Sequence, residues 1–215
     1  MKLYGYYRSS ASYRIRIILN FKGLDWDYAA VMLNRDEHLE TSFRMLNPAA
    51  LVPVLDSGEG LLGESPAIAE FLEERFPSPP LLPADPIRRA QVREMQSLIG
   101  CEIHPLQNLR VLRHLRAAYG LNDDEVTAWC RKWIEEGFRA FEVLAEACSD
   151  AGRFSVGDAL SFADVWLVPQ VYNARRFGVD LAPFPTITEI EQHCASLEPV
   201  AAAHPARQPD APAEA

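Results

Sequence analysis

Long apolar runs and closely spaced cysteines are both missing from this sequence of 215 residues. No apolar stretch approaches the roughly 18 to 20 residues of a membrane-spanning helix. The N-terminal residues run directly into a predicted strand, without the apolar core of a signal peptide. We therefore expect a protein of the cytoplasm that has no membrane partner.

The four cysteines and five histidines show no metal-binding spacing, so no metal is expected. No two cysteines form a C-x-x-C pair, which predicts reduced, buried thiols and argues against disulfides or a zinc site. These cysteines are Cys101, Cys130, Cys148 and Cys194.

Positive charge is also scarce, with 21 Lys and Arg against 30 Asp and Glu and a formal net charge of −9. A chain of this charge repels nucleic acid and acidic membranes, so we expect no nucleic-acid partner. An anionic substrate would have to meet a local cluster of basic residues.

Strand and helix signals alternate over residues 1–76, which predicts an α/β domain. The predicted strands are 2–7, 26–31, 51–55 and 61–63. The predicted helices are 10–22, 35–46 and a third one that begins at Glu64-Ser65-Pro66, with Ser65 as its N-cap, and ends near Phe76. A right-handed crossover makes the first two strands parallel. Pro53 fits an apolar strand only at a sheet edge or with a cis bond.

Residues 77–86 contain five prolines, which predicts a semi-rigid linker and a domain boundary. Residues 87–215 then read as an all-helical domain. We predict helices over 87–118 with a kink at Pro105, over 123–148, over 161–176 and over 186–196, and a disordered tail from about residue 205.

A cluster of hydroxyl groups fills the loop between the first strand and the first helix, Arg8-Ser9-Ser10-Ala11-Ser12-Tyr13-Arg14. Free backbone N–H groups and the helix dipole favour an anion at such a place, and they would lower the pKa of a thiol held there. The loop has no cysteine, so a thiolate reagent would have to arrive with a ligand.

The order of elements resembles the glutathione transferase fold, a thioredoxin-like α/β N-terminal domain followed by an all-α C-terminal domain. Ser9–Ile17 resembles the zeta-class signature S-S-C-x-x-R-V-R-I, and Leu51-Val52-Pro53 resembles the cis-proline loop of that family. The similarity extends to the Glu64-Ser65 pair, to residues 157–164, to 173–177 and to 207–210. Residues 100–105 are most similar to the bacterial maleylpyruvate isomerase branch, and maleylacetoacetate isomerases are the other close group.

This resemblance implies glutathione as the cofactor and a homodimer as the assembly. Ser9 is the expected hydrogen-bond donor to the glutathione sulfur, with Ser10 assisting, although both serines could simply cap the helix and Tyr6 and Tyr7 are rival donors. The other residues that the resemblance implies for glutathione are Val52, Pro53, Glu64, Ser65, His104, Gln107 and Asn108.

Arginines are the expected ligands of a dianionic substrate, because a guanidinium group holds a carboxylate with two hydrogen bonds. Arg8, Arg110 and Arg176 are the predicted substrate ligands. Arg8 and Arg176 are also predicted to be catalytic, and Arg175 is a reserve candidate. Residues 113 and 116 share the helical face of Arg110 and are expected to be solvated.

The implied reaction is glutathione-dependent cis–trans isomerisation of a maleyl keto diacid, maleylpyruvate or maleylacetoacetate, in the breakdown of aromatic compounds or tyrosine. The alternatives are a zeta-class transferase that conjugates small electrophiles such as haloacids, and a non-catalytic glutathione-fold binding protein. Ala11 stands where zeta enzymes often carry cysteine, which puts in doubt any side reaction that needs a thiol there.

Overall fold

A mixed sheet of four strands organises the N-terminal part of the computed structural model, which describes residues 1–212. The strands are β1 (Lys2–Gly5), β2 (Asp27–Ala30), β3 (Val54–Asp56) and β4 (Leu61–Gly63), in the spatial order β2-β1-β3-β4. β1 runs parallel to β2 and antiparallel to β3, and β4 returns antiparallel to β3. The predicted βαβ start and the hairpin are confirmed, although β1, β2 and β3 are shorter than predicted.

The same part of the chain contains helices α1 (Ser10–Phe21), α2 (Thr41–Leu46) and α3 (Ser65–Arg75). The α1 side chains Ile15, Ile17, Ile18 and Leu19 have no exposed surface. Burial of each stabilises the fold by roughly 1.5–3 kcal/mol. α1 packs against α3 and against a short C-terminal helix, α9 (Glu198–Ala202), which the sequence did not predict. The loop before α1 is therefore attached to a firmly held helix.

The described chain separates into two units, with the boundary between Pro80 and Leu81. The boundary falls inside the predicted 77–86 linker, but the segment from Ser196 onward groups with the first unit, whereas the sequence pattern places it in the helical domain. Leu81 and Leu82 are 1% and 4% exposed, so part of the proline-rich segment is packed.

The second unit contains α4 (Pro86–Ser97), α5 (Leu109–Tyr119), α6 (Asp123–Cys148), α7 (Phe162–Arg176) and α8 (Pro185–Ser196). The prediction of one kinked helix over 87–118 is wrong. α4 ends at Ser97, residues Leu98–Ile103 form a π-helical turn, and His104–Gln107 form a 3₁₀ turn before α5 begins. Pro105 lacks the N–H that a continuous helix needs, and Asn108 caps α5 by accepting the Arg110 N–H at 3.2 Å.

A glycine on α6 accommodates the π-helical turn. A Cβ atom at Gly137 would collide with the side chain of Ile103, which has no exposed surface. This close approach fixes the segment that leads into His104 and Asn108.

Asp164 holds the start of α7 and the loop before it. Its carboxylate accepts the N–H groups of Ser155 at 2.7 Å and Ser161 at 2.8 Å, and the Ser161 hydroxyl at 2.9 Å. The predicted capping box is thereby confirmed.

We expect Asp164→Ala to lower the free energy of unfolding by about 2 kcal/mol, since it removes a cap and leaves buried N–H donors without acceptors. Asp158→Ala, at an exposed position of the same loop, is the control and should change stability little. Urea denaturation of both variants measures the difference, and equal midpoints would contradict the capping role.

The C-terminal segment is ordered through residue 212, so the predicted disorder from about residue 205 is wrong for 205–212. Pro205–Arg207 form a 3₁₀ turn, and the Gln208 amide donates to the Ala202 carbonyl at 3.1 Å and the His204 carbonyl at 3.0 Å. Residues 213–215 lie outside the described part of the chain.

None of the helices in residues 1–212 has the length and apolarity to cross a membrane. In the same residues, no group of three or more His, Cys, Asp or Glu side chains is arranged to hold a metal ion. All four cysteines are free thiols, as predicted, but only Cys130 and Cys194 are buried. Cys101 is exposed and Cys148 half-buried, which corrects the expectation that all four lie in the core.

Candidate active site

The loop between β1 and α1 places Ser9 at the N-cap of α1. The Ser9 Oγ accepts the backbone N–H of Ser12 at 3.2 Å, and the Ser9 carbonyl accepts the N–H of Tyr13 at 2.9 Å. Because Oγ acts as the acceptor in the cap, the hydroxyl hydrogen remains available for a second partner. The first-turn N–H groups of α1 have no intrahelical acceptor and sit at the positive end of the dipole.

The other hydroxyl groups considered for this role are close in sequence and buried. Ser10 is 8% exposed, Tyr6 is 5% exposed and Tyr7 is 8% exposed. Burial, the largest cause, raises the pKa of Tyr6 to about 12, so its phenol is a neutral donor at physiological pH. Arg8, by contrast, is exposed at the tip of the loop. Ser9 as the thiolate donor stays a prediction, with Ser10, Tyr6 and Tyr7 as its competitors.

The peptide bond between Val52 and Pro53 is cis, as the motif predicts. β3 begins only at Val54, so the backbone of Val52 lies outside the ladder that joins β1 and β3. A backbone outside the ladder can offer its N–H and C=O to another peptide.

The start of α3 differs from the prediction by one residue. Glu64 occupies the N-cap position with φ 62°, and Ser65 is the first helical residue, whereas the sequence suggests Ser65 as the cap. Ser65 is 4% exposed and its Oγ accepts from Arg14 Nη1 at 3.3 Å, while Glu64 is exposed. A positive φ at a residue other than glycine is a feature of ligand-binding sites.

Sequence reasoning gave no role to Arg14 and Arg16, which are 2% and 0% exposed on α1. Burial lowers the pKa of Arg14 to about 9, which is the effect of a cation held away from water beside the first turn of α3. An anion bound at that turn would relieve this desolvation. The signal that could have revealed them is the pattern R-I-R-I, because two arginines alternate with isoleucines in a helix otherwise buried.

In the second unit, the two neighbouring arginines at the end of α7 differ in their partners. Arg175 donates two hydrogen bonds to the Glu191 carboxylate, at 2.9 and 2.6 Å. Arg176 donates from Nη1 to the Asn173 Oδ1 at 2.9 Å and is exposed. The structure thus ties Arg175 to an internal carboxylate, and Arg176 is held by a neutral amide.

Gln107 is 8% exposed and bonds to Asn173, the partner of Arg176. Its Nε2 donates to the Ile103 carbonyl at 3.3 Å, and its Oε1 accepts from Gln170 Nε2 at 3.2 Å and from Asn173 Nδ2. The predicted contact of Gln107 with glutathione stays a prediction, but its amide is already engaged within the helical unit and orients Asn173.

The remaining predicted residues lie on the segment from His104 to α5. His104 and Asn108 are half-buried, and Asn108 already caps α5. Arg110 is exposed. Arg116 pairs with Asp123 at 2.9 Å on the surface.

Comparison with known proteins agrees with this geometry. The pattern described as the N-terminal domain of glutathione S-transferase matches residues 3–80. Maleylpyruvate isomerase of Ralstonia sp is 48% identical over 210 residues, which cover 98% of this chain and 99% of that relative.

Two solved structures are similar over nearly the whole chain. The holo structure of a maleyl pyruvate isomerase, a bacterial glutathione S-transferase of the zeta class, has a TM-score of 0.97 and 48% identity, covering 99% of this chain and 100% of its own. Maleylacetoacetate isomerase from Anaeromyxobacter dehalogenans, with dicarboxyethyl glutathione and citrate bound in its active site, has a TM-score of 0.87 and 45% identity. The match covers 98% of this chain and 97% of that one.

Proposed function

Because the chain belongs to the zeta class of the glutathione S-transferase family, we propose that it is a glutathione-dependent cis–trans isomerase of a maleyl keto diacid. The observation that carries the proposal is Ser9, whose oxygen caps α1 while its hydroxyl hydrogen stays available to a sulfur anion. The similar enzymes named above act on maleylpyruvate and maleylacetoacetate, and one was solved with a glutathione derivative that carries carboxyl groups.

The residues of the first unit fit glutathione. The N-terminus of α1 suits a thiolate, the Val52 backbone outside the sheet suits a peptide, and the first turn of α3 suits a carboxylate. Arg14 is buried beside that turn, where its positive charge favours a bound anion. Bound glutathione supplies the thiolate that adds to the conjugated double bond of the substrate and leaves after rotation.

Ser9 donates its hydroxyl hydrogen to the sulfur and, together with the dipole of α1, favours the thiolate over the thiol. Ser10 assists from the first residue of the helix. This role for Ser9 is compatible with its cap, since the cap uses the oxygen and the sulfur would use the hydrogen.

The peptide of glutathione takes the remaining ligands of the first unit. The Val52 backbone beside Pro53 pairs with the cysteinyl residue, Ser65 binds the γ-glutamyl carboxylate, and Glu64 accepts from the γ-glutamyl ammonium. What supports these roles is the exposure of Glu64 and the burial of Ser65 next to Arg14. His104, Gln107 and Asn108 are proposed contacts of the glycyl end, with Gln107 the least direct because its amide is engaged internally.

Arg8, Arg110 and Arg176 are the proposed ligands of the two substrate carboxylates. All three are exposed. A guanidinium or hydroxyl group near the carbonyl would stabilise the negative charge that develops on its oxygen during addition. Arg175 is removed from the first choice because Glu191 already holds it.

Parallel assays with maleylpyruvate and maleylacetoacetate, each with and without glutathione, test the function. We expect glutathione-dependent conversion of at least one keto acid to its fumaryl isomer, followed by ultraviolet absorbance and chromatography. Assays with haloacids test the transferase alternative. The arginines argue against large apolar substrates, but they present no obstacle to small acids. Normal glutathione binding without turnover of either keto acid would favour the non-catalytic alternative and sink the isomerase proposal.

The assembly and location are also proposals. A homodimer is supported by the membership of the family, and light scattering of the purified protein measures it. A cytoplasmic location is proposed as well, and cell fractionation tests it.

A further inference from the structure

The C-terminal segment reaches back to the loop that carries Ser9. Asp210 Oδ2 accepts the backbone N–H of Tyr7 at 2.8 Å and the hydroxyl of Tyr28 at 3.2 Å. Tyr7 stands two residues before Ser9, and the Ser9 N–H donates to the Tyr6 carbonyl at 3.0 Å. A carboxylate from the far end of the chain therefore holds the backbone immediately before the proposed thiolate donor.

Arg16 holds the same stretch from its other side. Its guanidinium is fully buried and donates to the Tyr7 carbonyl at 2.9 Å, to the Tyr6 carbonyl at 3.4 Å and to the Ala203 carbonyl at 3.0 Å. The N–H and the C=O of Tyr7 are thus both fixed by charged groups. Asp210 belongs to the C-terminal segment, and Arg16 on α1 also donates to Ala203 of that segment. Hydrogen bonds to charged groups are about twice as strong as neutral ones.

Asp210 joins two parts of the first unit through one oxygen, since Oδ2 accepts from both the loop and β2. Its second oxygen, Oδ1, is buried. Tyr28 remains a neutral donor to Asp210, because burial first and the Asp210 charge second raise its pKa above the usual range. A carboxylate that bonds both the Tyr7 backbone and the Tyr28 hydroxyl points to a role in placing the loop.

We propose that Asp210 is a positioning residue of the active-site loop, which sets the backbone of Tyr7 and thereby the hydroxyl of Ser9 for the glutathione sulfur. This inference rests on the proposed function. It makes the C-terminal segment part of the glutathione site, although Asp210 itself touches no substrate.

In variants of Asp210, the loss of positioning and the loss of negative charge would shift the thiol pKa of bound glutathione in opposite directions. The two effects can therefore be separated. A negative charge near a thiolate raises the thiol pKa, so loss of the charge alone would lower it. Loss of positioning would move the Ser9 hydroxyl away from the sulfur and raise the thiol pKa. Asp210→Ala removes both charge and acceptor, whereas Asp210→Asn removes the charge and keeps an acceptor oxygen for Tyr7 and Tyr28.

The test compares these two variants with wild type and with Arg207→Ala, an exposed residue of the same segment that does not touch the loop. The thiol pKa of bound glutathione is read from thiolate absorbance against pH, and the dissociation constant of glutathione from calorimetry. For Asp210→Ala we expect a higher thiol pKa and about tenfold weaker glutathione binding, since small displacements of a positioned group carry large penalties. Asp210→Asn should bind glutathione nearly as tightly as wild type, with a thiol pKa that is unchanged or lower, and Arg207→Ala should match wild type in both measurements.

Two results would overturn the proposal: a thiol pKa that is not raised together with wild-type affinity in Asp210→Ala, or an Asp210→Asn variant as impaired as Asp210→Ala. If Asp210→Ala does not fold, Asp210→Glu takes its place, because the longer side chain keeps the charge and displaces the acceptor. Both readouts are independent of keto-acid turnover. A wild-type protein that binds glutathione without isomerising either acid would therefore refute the proposed reaction and leave the loop test readable.

Discussion

Replacement of Ser9 by alanine is expected to lower kcat/KM for the keto diacid by about a hundred- to a thousandfold, the range found when one preorganised donor to a reacting anion is removed. The thiol pKa of bound glutathione should rise towards about 8.5, the value of an unperturbed cysteine. The physical reason is that the Ser9 hydroxyl hydrogen is available at the positive end of α1, where it stabilises the thiolate more than the thiol. Absorbance of the thiolate against pH and steady-state kinetics measure the two effects.

Matched variants separate this role from the cap that Ser9 also provides. Ser9→Ala should cost about 1 kcal/mol of stability through the lost bond to Ser12, which cannot by itself shift a thiol pKa. Ser9→Thr keeps both the hydroxyl and the cap and should restore much of the activity. Ser10→Ala and Tyr6→Phe test the rivals: a raised thiol pKa in Tyr6→Phe together with an unchanged one in Ser9→Ala would transfer the role to Tyr6.

Local signals in the sequence were sufficient wherever an element is terminated by its own neighbours. α6 begins as predicted because Asn122 and Glu125 form a reciprocal cap over three residues, and it ends at the predicted Cys148. The same holds for α7, whose capping box is Ser161 and Asp164. The parallel pairing of β1 and β2 also followed from chain handedness. The cis bond before Pro53 was implied by the family resemblance, because local rules left an edge position open as well.

Contacts between distant residues explain where the sequence prediction failed. The break between α4 and α5 depends on Gly137, which leaves room for Ile103 from a different helix. The segment after residue 205 has a composition typical of disorder, but Gln208 and Asp210 bind partners on α9, β2 and the loop before Ser9. No periodicity within a short window contains such information.

The candidate site was predictable to the extent that its residues form motifs. Ser9, Pro53 and Ser65 stand in recognisable patterns, and the structure puts each at a helix start or strand end that suits a ligand. Arg16 and Asp210 could not be assigned, because each forms hydrogen bonds with residues far away in the sequence. Arg16 donates to Ala203 as well as to Tyr7, and Asp210 accepts from Tyr7. Gln107 shows the reverse case, since a polar side chain on a predicted ligand segment makes its hydrogen bonds internally.

Arg176→Ala is expected to lower kcat/KM for the keto diacid by about a hundredfold, because a charge-assisted, two-point contact with a carboxylate is lost. The dissociation constant of glutathione should change little, since its proposed ligands do not include Arg176. Arg176→Lys should recover only part of the loss, as an ammonium group is a point charge without the planar fork of a guanidinium. Gln107 accepts a hydrogen bond from the Asn173 amide, and the Asn173 oxygen accepts one from Arg176. These two bonds orient the exposed Arg176 side chain.

The neighbouring arginine supplies the control that makes this prediction decisive. Arg175→Ala removes a guanidinium of the same charge one residue away, but one that Glu191 already binds at 2.9 and 2.6 Å. Its loss should lower the free energy of unfolding by about 1 kcal/mol, because Arg175 is partly exposed, and should leave kcat/KM nearly unchanged. Equal kinetic losses in the two variants would mean that the substrate responds to the general positive charge at the end of α7. A loss confined to Arg175→Ala would move the carboxylate contact to Arg175 and require Glu191 to release it on binding.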